Sequence, residues 1–397
     1  MNILKADSNF QSDGQMHKKT ALRILILITA IGFFLRIYIT FYTQLPHVHR
    51  DTPEYFKQAK ALVNGSYINY FPNGYPLIIA VGNLIFGRNI EPYLLWTNIL
   101  MATCISLFVY NISKIIFKNT LLALVTIFLF AIYPSQINIV RWLTSEVPTT
   151  FFLTGAYFFY LRKHYMLSGL FFSATAIIRT EYLMVLILLI LCELILTRKF
   201  NARLIIVSIM PLLVLGSYCY FKTGNFSISG HGKVNIMYSV TASGSNVDYE
   251  YVHKHPEIVT DKDALNEYLR HIKSTPLLFI QERMANLFEL WGIPSSSEGN
   301  RGKTSRFIMG AGNLFLLFFG LAGLWQNKRD FKALILIIPF VVITFIHTLL
   351  LTFSRYTVPV EPFMIVLAMW MLVKLILVKL PKTSRQFKLL KGQLSQK

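Results

Sequence analysis

Apolar runs of bilayer-spanning length recur along this chain from Ala21 to Val378, and no other feature restricts its fold as strongly. A hydrocarbon core about 30 Å thick needs roughly 20 apolar residues in a helix, and lipid offers no partner to an unpaired backbone amide. Runs that break at charge clusters fall at 21–43, 92–113, 119–135, 146–161, 165–178, 181–197, 202–220, 306–325, 333–353 and 357–378. They predict an all-α polytopic membrane protein with ten transmembrane helices. Of the 397 residues, 54% are hydrophobic and 15% charged, against about 25% charged in a soluble domain. The run Tyr75–Phe86 holds only 12 residues, too few to cross, and reads as an interfacial or re-entrant helix. Cys104, Cys192 and Cys219 all lie within apolar runs, which excludes a disulfide framework and a cysteine zinc site.

A net charge of +20 would suit a nucleic-acid partner, so the placement of the charge decides. With the N-terminus in the cytoplasm, the inner segments hold 21 basic residues and only three acidic ones, Asp7, Asp13 and Asp330. That is +18 of the total, leaving +2 for the spans and outer loops. The excess follows the positive-inside rule, which removes the case for nucleic acid and places both termini in the cytoplasm. The basic tail from Lys379 onward is read as lying against anionic membrane lipid. The first apolar run is too long for a signal peptide and lacks a small-residue cleavage site, so it is read as a retained span.

Two outer segments hold the remaining polar material. In the first, 44–91, Pro53 suits the first turn of a helix and Gly65 its C-terminal stop, and Tyr55, Phe56, Ala59, Leu62 and Val63 share one face. This helix is expected to lie flat on the membrane, with Asp51 just ahead of it. The second, Lys222–Ser305, is 84 residues long and carries an amphipathic run, Ala264–Trp291. It is long enough for a small folded subdomain, and long loops of this kind often bind ligands.

Several side chains in these segments bear chemistry. A carboxylate at the mouth of a hydrophobic cavity, Asp51 with Glu54 beside it, can act as a general base or hold a divalent cation; Asp51 ahead of Pro53 is equally an ordinary helix cap. His47 and His49 precede it and share the spacing of metal ligands, with no third ligand fixed nearby. A divalent cation at His47, His49 and Asp51 is the one cofactor the sequence offers. Glu146 stands at the outer mouth of the fourth span, where an ionisable group is costly; a pair with Arg141 or a favourable helix N-terminus would also explain it. Arg179 and Glu181 share an outer turn and can form a local pair. Arg355 lies between the last two spans, where a guanidinium can hold phosphate bidentately or simply snorkel. There is no Walker loop, dinucleotide fingerprint, HExxH or GxSxG, which removes ATP-driven transport, dinucleotide chemistry and the common hydrolase plans.

The order Asp51-x-x-x-Tyr55-x-x-x-Ala59-x-x-Leu62-x-x-Gly65, followed by Pro72-Asn-Gly-Tyr75-Pro76-Leu77-x-x-Ala80 and Phe86-Gly87, resembles the first outer loop of the GT-C membrane glycosyltransferases. The branch it is most similar to is that of the protein O-mannosyltransferases and the bacterial aminoarabinose transferase. Leu143-Thr-Ser-Glu146, Ile178-Arg179-Thr180, Gly224–Ser229, the run Tyr268–Trp291 and Arg355-Tyr356-x-x-Pro359 follow in the same order, so the resemblance covers most of residues 20–375. It implies transfer of a sugar from a polyprenyl-phosphate donor to a glycan, lipid or protein acceptor on the outer face of a bacterial plasma (inner) membrane. Position by position it implies that Asp51 is the catalytic carboxylate and Glu146 a second acidic group. Arg355, with Arg179, Tyr356 and Tyr75, would contact the donor. Two departures stand out. Gly74-Tyr75-Pro76-Leu77 replaces the Lys-Pro-Pro-Leu of the aminoarabinose branch, and Thr52 follows Asp51 where the protein-mannosylating branch has an adjacent Glu, leaving Glu54 to compensate.

The organisation expected is then a cytoplasmic segment 1–20, a membrane catalytic module 21–221, an outer-loop subdomain 222–305, C-terminal membrane helices 306–378 and a basic cytoplasmic tail 379–397. The rival class is a lipid-linked oligosaccharide flippase or secondary transporter. Such transporters are commonly built from internal repeats with interrupted helices, and no repeat is visible in this sequence.

Overall fold

The computed structural model describes residues 18–43, 47–87, 89–198, 200–294 and 302–379. Most of the segment 1–20 and of the tail 379–397 lies outside the described residues, and with them the expectation that both termini are cytoplasmic. Seventeen helices follow one another: α1 (Lys18–Phe41), α2 (Thr52–Val63), α3 (Gly74–Phe86), α4 (Glu91–Phe117), α5 (Thr120–Ala131), α6 (Pro134–Asn138), α7 (Glu146–Leu161), α8 (Tyr165–Ile178) and α9 (Tyr182–Thr197) come first. Then come α10 (Ala202–Thr223), α11 (Gly232–Thr241), α12 (Tyr251–Lys254), α13 (Asp261–Ser274), α14 (Pro276–Trp291), α15 (Lys303–Gln326), α16 (Phe331–Leu349) and α17 (Glu361–Lys379). Short 3-10 turns occupy Ile139–Arg141 and Ser354–Thr357, and no strand occurs among the described residues.

A helix stands at each of the ten apolar runs, but fewer than ten are long enough by themselves to cross a membrane. Among the described residues five helices, α1, α4, α10, α15 and α16, are long and apolar enough to cross a membrane. Helix α5 and the segment Pro134–Arg141, which meet at 57°, are apolar and long enough only as a pair, a broken span or a re-entrant loop. Pro134 at the first position of α6 cannot continue the α5 hydrogen-bond ladder and disfavours helical geometry in the residue before it. Helices α7, α8 and α9 have 16, 14 and 16 residues, and at 1.5 Å per residue 16 residues rise only about 24 Å. A charged cavity begins where they end: Glu146 opens α7, Arg179 follows α8 and Glu181 precedes α9.

Helix α17 runs through the middle of the bundle. Residues 361–370 are buried without exception, as a helix apolar on all sides must be. Phe363, Val366 and Leu367 share one core with residues of α4, α7, α9 and α16. By contrast Leu22, Ile26 and Phe34 on α1, Val214 and Phe221 on α10 and Phe307 and Phe318 on α15 are more than half exposed. Apolar faces of that extent need a bilayer to cover them. The chain is an integral, multi-pass membrane protein.

In the segment that holds α2 and α3, the start and stop signals of α2 fall where the sequence places them. Pro53 lies in the first turn of α2, and Gly65 follows its C-terminal end with φ +73°. Helix α3 packs beneath α2 through Tyr55, Ala59, Tyr75 and Ile79. Its N-terminus abuts α8: a Cβ on Gly74 would come within 2.7 Å of the Ile178 backbone nitrogen and Cα. Gly74 thus sets the distance between the start of α3 and the residue before Arg179.

In the second outer segment the amphipathic run Ala264–Trp291 is two helices. Pro276 starts α14, and Thr275 before it takes the extended φ that a following proline imposes (−137°). Helix α14 lies along α16, with Trp291 Nε1 donating to Thr344 Oγ1 at 3.0 Å. Its buried Asn286 donates to the carbonyls of Thr348 (3.1 Å) and Leu350 (2.9 Å) and accepts from Gly244 N (2.8 Å). Arg283 and the Tyr268 hydroxyl both donate to the Leu349 carbonyl between them. The last carbonyls of a helix have no partner within it, and here side chains of the outer subdomain supply one.

Asn286→Leu should therefore destabilise the chain by about 1–3 kcal/mol for each backbone group left unsatisfied. Thermal unfolding of the detergent-solubilised protein measures it, and an unchanged midpoint would show that α14 does not hold the end of α16.

Candidate active site

An open cavity of about 700 Å³ lies where the ends of α7, α8, α9 and α16 meet the two outer segments. Four stretches remote in sequence deliver charges to it: the turn before α2, the start of α7, the α8–α9 turn and the 3-10 turn before α17. Arg355 joins them. Its Nη2 donates to Asp51 Oδ2 at 2.5 Å, its Nη1 lies 3.1 Å from His49 Nδ1, and its Nε is 3.5 Å from Glu146 Oε1. Arg179 continues the chain, with Nη1 3.2 Å from Glu146 Oε1 and Nε 2.6 Å from Glu181 Oε1, and with its guanidinium 4.5 Å from the centre of the Tyr356 ring. His347, whose Nδ1 bonds the Leu351 carbonyl at 2.9 Å, places Nε2 3.8 Å from Glu181 and stacks on Tyr356 at 4.3 Å. The result is an alternating row: Asp51, Arg355, Glu146, Arg179, Glu181.

Asp51 holds the helix N-cap position, but its side chain makes no capping bond. The carboxylate turns to Arg355 instead, so capping does not explain the residue. Burial would raise its pKa, but the charge and hydrogen bond of Arg355, together with the nearby His49 and His231, hold the carboxyl below the usual aspartate value. His49 moves to about 4, first because it is buried and then because Arg355 lies beside it. A guanidinium only donates, so Nδ1 of His49 accepts, and the ring is neutral with its proton on Nε2. Three carboxylates share two guanidiniums, so one is under-compensated. Asp51 is the most accessible of them, its side chain 26% exposed against 1% for Glu146.

The sequence-derived residues divide cleanly. Asp51, Glu146, Arg179, Arg355 and Tyr356 converge, and Glu146 pairs with Arg179 and Arg355, whereas the Arg141 Nε donates to Asn138. Glu54 sits on the cavity rim, half-exposed and 3.6 Å from Lys57, outside the row. Tyr75 is buried behind Tyr55, ring centres 5.0 Å apart, and does not line the cavity. Its placement corrects the expectation of a donor contact: a tyrosine at the α2–α3 packing face is consumed by that face.

The metal reading fares no better. His47 Nδ1 lies 3.1 Å from the Arg141 carbonyl, His49 and Asp51 are both engaged by Arg355, and among the described residues no group of three His, Cys, Asp or Glu side chains converges as a metal site. These residues as arranged do not fit a divalent cation. His347 escaped the sequence reading, although a lone histidine near the end of an apolar run is the signal by which buried polar groups in membranes announce themselves.

No family model matches the chain, and no curated protein does. Solved structures do. One is the archaeal oligosaccharyltransferase AglB from Archaeoglobus fulgidus in complex with an inhibitory peptide and a dolichol-phosphate, at 14% identity and a TM-score of 0.51 over 93% of this chain and 51% of that one. Another is the Archaeoglobus fulgidus oligosaccharyltransferase tethered to an acceptor peptide, at 14% identity and a TM-score of 0.51 over 91% and 50%. The fold is shared with these oligosaccharyltransferase structures. ArnT from Cupriavidus metallidurans bound to undecaprenyl phosphate also aligns, at 14% identity and a TM-score of 0.49 over 96% of this chain and 63% of that one. The chain spans about half the length of the oligosaccharyltransferase structures it matches.

Glu146 lies between two guanidiniums, so Glu146→Gln should destabilise the protein by about 3–5 kcal/mol, the usual effect of removing one partner from a buried ionic network. Pairing it with Arg179→Gln should recover part of that loss, a coupling that unfolding of the three variants measures. Additive effects would mean that the two side chains do not act on each other.

Proposed function

We propose that this chain is an inverting glycosyltransferase. It moves a sugar, hexosyl or pentosyl, from a polyprenyl-phosphate donor to an acceptor hydroxyl on the outer face of a membrane, the bacterial plasma (inner) membrane being the setting the resemblance implies. The observation that carries the reading is the contact of Arg355 with both Asp51 and Glu146 in one open cavity. It joins three of the separated stretches on which the resemblance rests. The membrane module 21–221 and the end of the chain's helical part supply the charges, and the 222–305 segment supplies the outer wall.

The donor needs no nucleotide, because its sugar is already activated on a phosphate. An acceptor hydroxyl has a pKa far above neutrality, so a base must take its proton as the oxygen attacks the anomeric carbon; the bond to the phosphate oxygen breaks and configuration inverts. Asp51 is that base. At rest it is a weak one, since Arg355 neutralises it. The donor phosphate offers Arg355 a competing anion, and when the guanidinium turns to it the Asp51 carboxylate is released and its proton affinity rises. Arg355, with Arg179 behind it, then faces the oxygen on which charge accumulates, which is where fixed cations lower a barrier most. Glu146 keeps both guanidiniums in place. Tyr356, stacked under Arg179, holds its plane. Glu54, on the rim of the same cavity, faces Lys57 instead of the row.

Asp51→Asn preserves the shape and removes the base. Single-turnover transfer by the purified, detergent-solubilised protein should fall roughly 100-fold or more. A rate near that of the unaltered chain, with unfolding behaviour unchanged, would take the role away from Asp51.

A further inference from the structure

Beyond its charged row, the same cavity has a second wall of different chemistry. Ser229, His231, Asn235, Tyr238 and Tyr249 of the outer subdomain line it, and among the described residues after Lys222 and before α15 no Lys, Arg, Asp or Glu does. Across from them the first outer segment contributes Tyr70 and Phe71, whose ring centres lie 4.5 and 4.7 Å from that of His231. Tyr238 and Tyr249 meet edge to face at 5.1 Å, and Arg50 lies over Tyr249 at 4.5 Å. The two sides are built to meet. Gly230 stands so close to the Asn69 carbonyl oxygen that no side chain would fit between them, and the Ser229 hydroxyl reaches toward the Tyr70 carbonyl at 3.5 Å. The wall is also uncharged in fact. Burial lowers His231 to about 4 and raises Tyr70 to about 12, and burial raises Tyr238 and Tyr249 as well. His231 and Asp51 line the same cavity, so whatever rests on this wall shares that cavity with the base.

These features select a ligand. A phosphorylated or carboxylated acceptor leaving water would require cations facing it; the residues after Lys222 supply none, and Arg50 beside them lies over the Tyr249 ring. A pyranose ring carries an apolar C–H face and an edge of hydroxyls, which match tyrosine and phenylalanine rings on one hand and Ser, Asn and neutral His on the other. We infer that the wall formed by Tyr70, His231, Asn235, Tyr238 and Tyr249 is the acceptor subsite and that it takes a neutral sugar ring of a glycan acceptor. This rests on the transferase reading above, and it selects one acceptor class from the three that reading leaves open.

Binding can be tested apart from transfer. Saturation-transfer difference NMR on the full chain in detergent micelles, without donor, uses three probes: neutral methyl pyranosides and their disaccharides, a Ser/Thr peptide, and a phosphorylated disaccharide. The neutral sugars should receive saturation, strongest on their C–H faces, and the other two should not. Tyr249→Ala and His231→Ala should each weaken sugar binding about tenfold, while Tyr249→Phe, which keeps the ring, should retain it. Thermal unfolding confirms that each variant is folded. Preference for the peptide or the phosphorylated probe, sugar binding that both alanine variants leave intact, or no binding of any probe would each overturn the assignment. None of these outcomes bears on Asp51, whose role is read from the transfer rate.

Discussion

The contact between Arg355 and the two carboxylates Asp51 and Glu146 is the interaction on which the rest of the structure depends. Taking a carboxylate out of water costs several kcal/mol unless an opposite charge and hydrogen bonds accompany it. Five ionised side chains stand here at and between the ends of apolar helices, and they are tolerable only as an alternating row. Each link fixes the next, so four remote stretches of chain have to arrive together. The short helices α7, α8 and α9 have their ends at this row and the open cavity beside it.

The fold supplies rigid supports for that row. The fully buried start of α17 follows the turn that carries Arg355, and Glu361 in its first turn accepts from Ser135, Gln136 and Thr357. Gln136 also donates to the Val358 carbonyl at 2.8 Å, so the bent α5–α6 segment holds the far side of the same turn. On the other flank α14 supplies partners to the last carbonyls of α16, a few residues before Arg355. The arginine is thus gripped from both ends of its loop, while Asp51 approaches on a separate interfacial helix. That division suits a site in which a phosphate displaces one partner of an ion pair without moving the other.

Much of this was legible in the sequence. Hydropathy located a helix at all ten apolar runs, Pro53 and Gly65 bracketed α2, and the brevity of Tyr75–Phe86 marked α3 as something other than a full crossing. Pro276 carried the signal that splits α13 from α14, and an amphipathic pattern continuing across it concealed the break. The apolar runs match the bounds of α7, α8 and α9 almost to the residue; what hydropathy could not tell is that helices of 14 to 16 residues fall short of a full crossing. Tyr75 failed for a related reason: a motif position gives the residue type, and only the packing of α3 under α2 decides whether the ring faces a ligand or a core. Nothing in the spacing of positions 51, 146, 179 and 355 brings them together; the resemblance suggested it, and the geometry supplies the guanidinium that does so.

The central claim is that a lipid phosphate and Asp51 compete for Arg355. A structure of this protein determined by electron cryomicroscopy with undecaprenyl phosphate bound tests it most directly. The account predicts phosphate oxygens on the Arg355 guanidinium and an Asp51 Oδ2 that has left its 2.5 Å contact for the open cavity. A phosphate seated elsewhere, with the Asp51–Arg355 pair intact, would contradict it.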